Sequence, residues 1–139
     1  MSNIEQIQAE LIEEFQLFDN WMDRYQYIID LGKQLPDFPE EYRIDEYKLH
    51  GCQSQVWLKG TPEAGRLNFQ ADSDSTIVSG LIALVMRVYS GQRLEDIVST
   101  PPEFIRAIGL SEHLSPTRNN GLAAMISSIR EQAQSCAGS

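Results

Sequence analysis

The run from Ile77 to Tyr89, IVSGLIALVMRVY, constrains the fold more than any other part of the chain. Read at 3.6 residues per turn, it is apolar nearly all round, and such a helix must be enclosed on all sides. Its longest unbroken apolar stretch, Leu81 to Met86, is far short of the ~20 residues that cross a bilayer. The helix therefore belongs at the centre of a protein core. A chain of 139 residues is long enough for one such core and too short for two domains of ordinary size, so residues 1–139 are expected to form a single domain. Asp72-Ser73-Asp74-Ser75 precedes the run and offers several caps, and Gly91 ends it.

The flanks supply the layers that enclose it. Ser2 followed by Glu5 is a capping-box pattern, and Ile4, Ile7, Leu11, Phe15 and Phe18 recur at helical spacing. Asp19 and Asn20 break this helix and can cap a second, with Trp21, Tyr25, Ile28, Ile29 and Leu35 on its apolar face and Pro36 as its stop. The period then changes. Tyr47-Lys48-Leu49 predicts a short strand, Gln53 to Lys59 a second, and Arg66 to Ala71 a third with Leu67, Phe69 and Ala71 on its buried face. Gly60-Thr61-Pro62-Glu63-Ala64-Gly65 reads as the turn between the last two. After the central helix, Leu94, Ile97 and Val98 mark a short helix. Another starts at Thr100-Pro101-Pro102-Glu103 and ends at Gly109. Ser115-Pro116 opens the last helix, with Leu122, Met125, Ile126 and Ile129 inward and a small, polar, frayed tail after Gln134. The expected architecture is α+β: a small three-stranded antiparallel meander with helices packed against it.

Charge removes several functional classes. A formal net charge of −9 argues against nucleic-acid binding and against adhesion to anionic membranes. The N-terminal stretch MSNIEQIQAELIEEF is acidic and amphipathic, unlike a signal peptide, so a cytoplasmic location is expected. Two cysteines, Cys52 and Cys136, make no disulfide framework, and in a reducing compartment both stay thiols.

The string Gly51-Cys52-Gln53-Ser54-Gln55-Val56-Trp57-Leu58 carries the chemistry. Gly51 permits a turn that presents the following side chain. Composition alone favours a buried cysteine at position 52. Read with RYQYIIDLGKQLP (24–36) and SPTRNNGL (115–122), however, the string resembles the SufE family of sulfur acceptors, over roughly residues 19–130. Ala71-Asp72-Ser73-Asp74-Ser75, running into Ile77-Val78-Ser79-Gly80-Leu81, is a further matching motif. The Gln53-Ser54-Gln55 triplet is similar to the SufE branch rather than the related CsdE branch.

The resemblance implies a SufE/IscU-like fold. It also implies that Cys52 accepts persulfide sulfur from a SufS-type cysteine desulfurase and that the sulfur passes on to an iron–sulfur cluster scaffold. Pyridoxal phosphate belongs to the desulfurase, and no cofactor or metal is implied for this chain. The resemblance thus implies a sulfur-relay partner and activator rather than a stand-alone enzyme. Gly51, Gln53, Asp72, Asp74 and Arg118 are the expected loop-support or partner-contacting residues. Asp72 and Asp74 read most simply as caps or dipole partners of the central helix. Arg118, a cation in the first turn of a helix, calls for a partner: Asp72, Asp74 or a group on the desulfurase. Lys48, His50 and Lys59 are near Cys52 in sequence, and Leu49, Val56 and Leu58 are candidates for an apolar shelter around its sulfur.

Two other readings compete. An iron–sulfur scaffold of IscU type needs three or four ligands, and Cys52, Cys136, His50 and His113 are not spaced as a set. A cysteine hydrolase needs a histidine base. His50 is two residues from Cys52, but no motif supports that role.

Overall fold

The apolar helix is where the sequence puts it. In a computed structural model, which describes residues 3–49 and 54–137, α3 (Thr76–Tyr89) buries Ile77, Gly80, Leu81, Ile82, Leu84, Val85, Val88 and Tyr89. Around it stand α1 (Asn3–Gln16), α2 (Trp21–Gly32), β1 (Val56–Glu63), β2 (Arg66–Ser73), β3 (Gln92–Arg93), α4 (Leu94–Ser99), α5 (Phe104–Ile108), α6 (Leu110–His113) and α7 (Pro116–Ala137). Single 3₁₀ turns at Glu40–Tyr42 and Asp45–Tyr47 lead into the sheet. Among the described residues no helix is long and apolar enough to cross a membrane.

Local chemistry accounts for most boundaries. Asn20 caps α2, its side-chain oxygen accepting from the Asp23 N–H at 2.9 Å. The helix ends at Gly32, before Pro36, and Leu35 packs on the core from beyond its end. Gly109, at φ 93°, separates α5 from the short α6, a helix the sequence does not predict. The tail is not frayed from Gln134 as expected. Ala133 is fully buried, and the helix runs on through Cys136.

Side chains fasten the layers around α3. The Arg87 guanidinium pairs with Glu14 of α1, and the Tyr27 hydroxyl donates to the same carboxylate at 2.7 Å. These bonds, that of Arg87 foremost, hold the Glu14 carboxyl below its ordinary range. In the same last turn of α3, buried Tyr89 donates to the Thr100 carbonyl at 3.0 Å, and burial pushes its phenol up to about 12.

The sheet has the expected strand number and orientation but a different third member. Its order is β1-β2-β3, antiparallel throughout. Residues 45–47 turn as a 3₁₀ helix, so the predicted 47–49 strand is reduced to a Lys48–Trp57 bridge and a bond from the Leu49 N–H to the Val56 carbonyl at 2.8 Å. The third strand comes instead from Gln92–Arg93, which pairs with Arg66 and Leu67. The turn predicted over 60–65 contracts to Ala64 and Gly65, both at positive φ, as in a two-residue hairpin of mirror-image type. Gly60 and Pro62 belong to β1, an edge strand, where proline is tolerated. Leu67, Phe69 and Ala71 alternate inward as read.

The tightest contact in the core is between α2 and α3. A methyl group on Gly80 would run into the Ile28 carbonyl, and one on Gly32 would lie 2.6 Å from the Gly80 nitrogen. Neither backbone has room to yield. Gly80→Ala is therefore expected to lower stability by about 1–3 kcal/mol, the range of core overpacking. Gln70→Ala, on the exposed face of β2, should stay within about 0.5 kcal/mol of the parent. Denaturant unfolding of both variants checks this, and equal midpoints would contradict the close crossing.

Candidate functional site

Three segments singled out in the sequence line one cavity of about 400 Å³. Ser54 just before β1 and Val56 at its start, Val78 and Leu81 in the first two turns of α3, and Thr117, Arg118, Gly121, Leu122 and Met125 in the first three turns of α7 form its wall. The apolar members provide a lining without charge. Ser54, Ser115, Thr117 and Arg118 supply its polar groups.

Each segment is held by its own hydrogen bonds. Ser75 caps α3 through the Val78 N–H. The Ser115 hydroxyl accepts from the Arg118 N–H at 3.2 Å, and Asn119 donates to the Ser111 and Leu114 carbonyls at 3.1 and 3.2 Å. Within SPTRNNGL, the serine and the first asparagine thus fix the entry to α7, while the threonine, arginine, glycine and leucine line the cavity.

Cys52, Gly51 and Gln53 lie outside the described residues, as does His50. In the chain they fall between Leu49, which is tied to β1, and Ser54, which lines the cavity. Asp74 fastens the chain just after them: its Oδ1 accepts from the Gln55 N–H at 3.1 Å, and its own N–H donates to the Gln55 carbonyl at 3.3 Å. Asp72 sits opposite Trp57 in the hairpin and pairs with Arg43 at 2.5 Å. The expectation that these aspartates cap α3 is corrected, because Ser75 does so and both carboxylates are engaged elsewhere. These engagements also remove Asp72 and Asp74 from the three partners expected for Arg118. That residue is exposed, and among the described residues no carboxylate lies within 4 Å of its guanidinium.

Of the three residues read as an apolar shelter, Val56 lines the cavity, Leu58 is in the main core and Leu49 packs against it. The sulfur they were expected to shelter lies outside the described residues. Lys59 is engaged by the Tyr42 and Tyr47 rings, 4.8 and 5.7 Å from their centroids. His113 stacks on Trp21 at 4.2 Å and bonds the Gly109 carbonyl. Among the described residues no group of three or more His, Cys, Asp or Glu is placed to hold a metal.

Sequence reasoning missed Arg43. Its guanidinium bonds Glu40 at 2.9 Å as well as Asp72, and lies 5.5 Å from the Phe38 ring and 5.2 Å from the Trp57 ring. The Asp72 bond above all raises its pKa beyond the ordinary arginine value. An arginine set among Phe38, Tyr42 and Tyr47 was the available signal.

The SufE family, described as the Fe-S metabolism associated domain, matches residues 9–133. The chain belongs to the SufE family. It is 45% identical to an uncharacterized SufE-like protein of Rhizobium etli, covering 96% of this chain and 91% of that protein. It is 43% identical to another of Rhizobium meliloti, covering 96% of each. The solution structure of a hypothetical protein from Thermus thermophilus superposes with a TM-score of 0.79 at 21% identity, over 96% of this chain and 97% of that one. That likeness shows the α+β fold. Membership of the SufE family associates the chain with iron–sulfur metabolism.

Arg118 of this SufE-family chain forms no ion pair among the described residues and adds an unfavourable charge to a helix N-terminus. Arg118→Ala should accordingly leave stability within about 0.5 kcal/mol of the parent, level or slightly higher. A clearly lower unfolding midpoint would reveal an internal role.

Proposed function

We propose that this chain accepts sulfur on Cys52 from the cysteine persulfide of a SufS-type desulfurase and delivers it to an iron–sulfur cluster scaffold. The observation that carries the reading is the convergence of three SufE-family motifs on one cavity with both apolar and polar lining, reached by Ser54 two residues after Cys52. The chain acts as a single domain over residues 1–139, in the cytoplasm, with no cofactor of its own.

The chemistry needs one thiolate. The Cys52 sulfur attacks the outer sulfur of the partner's persulfide. A new sulfur–sulfur bond forms on Cys52, the partner's breaks, and the partner's cysteine leaves as a thiolate. The exchange moves one sulfur atom with no external oxidant or reductant. Removing the persulfide returns the desulfurase to its reactive form, which accounts for activation. Exchange of the product with stray thiols depends on access, so a sheltered persulfide is the longer-lived one. Arg118, exposed at the cavity, is available to an acidic group on the partner. Asp74 holds Gln55, three residues after Cys52 in the chain, and Gly51 and Gln53 flank the cysteine in sequence.

Sulfide release from cysteine by the desulfurase tests this. Added wild-type chain should raise turnover, and Cys136→Ser should do so equally. Cys52→Ser should fold and give no stimulation, and Arg118→Ala should weaken it at unchanged stability. Equal loss in the two cysteine variants would overturn the single-thiol relay.

A further inference from the structure

The chain turns from α1 into α2 through Leu17-Phe18-Asp19-Asn20-Trp21-Met22. Four of these six side chains are large and apolar, and none of the four is fully buried. Leu17 and Met22 are each 81% exposed, and Ile44, at 46%, is the other exposed large hydrophobic among the described residues. We propose that this corner is a docking surface for a basic segment of another protein that carries apolar side chains. The proposal stands apart from the sulfur relay, since none of residues 17–22 is in the cavity wall.

Local contacts hold the exposed pair in place. Asn20 caps α2 by accepting from the Asp23 N–H. The Phe18 ring packs 4.9 Å from that of Tyr27, and the Trp21 ring stacks 4.2 Å from that of His113. Both sides of the turn are thus fastened to the body of the fold, while Leu17 and Met22 stand in solvent. A surface ordered in advance loses little conformational entropy when a partner covers it. Single exposed apolar residues are ordinary. Two of them set out by one fastened turn are the pattern of an interaction site.

Charge selects the occupant. Residues 1–32 hold seven acidic side chains and one basic one, in a chain of net charge −9. Glu13, Asp19 and Asp23 are exposed, each within four residues of Leu17 or Met22. The cations of the neighbourhood are used inside the fold: Arg24 donates to the Ile108 carbonyl at 2.8 Å, and Arg87 pairs with Glu14. The field at the corner is therefore left negative. A second copy seated there would bring like carboxylates together, and an anionic bilayer would repel them. A basic segment neutralises the carboxylates while its apolar side chains cover Leu17 and Met22.

The test titrates the isotope-labelled full-length chain with a synthetic amphipathic peptide of lysine and leucine and follows backbone and indole N–H resonances by NMR. The largest shifts are expected at residues 17–23 and at the Trp21 indole, with the Trp57 indole as an unmoved reference. Leu17→Ser combined with Met22→Ser should weaken binding roughly tenfold, the scale expected when two apolar side chains are partly buried in a complex. Glu13→Gln combined with Asp19→Asn should weaken it as well and flatten its salt dependence. All four positions are exposed, so both double variants should unfold at the parent's midpoint. A peptide with serine in place of leucine should bind less tightly and lose its preference for the corner. Shifts equally large over residues 37–46, another acid-rich segment, would mean attraction by charge alone and overturn the proposal. An unchanged affinity in the folded Leu17→Ser, Met22→Ser variant overturns it too, as does the absence of any shift at the corner. Corner resonances that move on dilution of the chain without peptide would seat a second copy there and equally overturn it.

Discussion

The crossing of α2 and α3 at Gly32 and Gly80 is the contact on which the other layers depend. Two backbones can lie this close only where neither carries a side chain. Seated there, Ile28 is fully buried against α3, which also packs against α1, β2 and α7. The same helix places Val78 and Leu81 in the cavity wall. Packing and site are thus one arrangement: a shift of α3 to relieve a clash with α2 moves the surface facing the start of α7. Interiors packed to crystal-like density transmit such shifts rather than absorb them.

Much of this was legible in the sequence because the signals were periodic or chemically specific. A run from Ile77 to Tyr89 that is apolar nearly all round fixed α3 as the core helix. Leu67, Phe69 and Ala71 marked β2 by alternation, and Asn20 marked a helix start by its capping side chain. The misreadings have equally physical causes. Gln92–Arg93 is too short for any period and becomes a strand only because the chain leaves α3 through Gly91 beside Leu67, to whose carbonyl the Gly91 N–H donates. Gly60 and Pro62 have the composition of a turn, yet β1 is an edge strand, and past the Lys48–Trp57 bridge no strand among the described residues pairs with its outer side, so they remain in β1. At the site, the motif strings were readable one by one. Their meeting around a single cavity was not, since nothing local reports that the starts of β1, α3 and α7 adjoin. The partners of Asp72 and Arg118 were mispaired for the same reason: Arg43 is far from Asp72 in sequence and directly beside it in space.

The two arginines near the site divide the electrostatic work in a chain of net charge −9. Arg43 is half-buried, stacked and doubly paired, so its charge is used inside the fold. Arg118 is exposed with no carboxylate partner among the described residues, so its charge remains for something outside the fold. Under the proposed relay, that cation is the one available to an acidic group on the partner.

The central claim is that sulfur comes to rest on Cys52. The direct measurement incubates the chain with a SufS-type desulfurase and cysteine, separates the two proteins without reductant, and determines the mass of each cysteine-containing peptide. The account predicts one additional sulfur atom on the Cys52 peptide, none on the Cys136 peptide, and none on either when the desulfurase is left out. Added sulfur on Cys136 alone, or none on the chain while desulfurase turnover is stimulated, would contradict it.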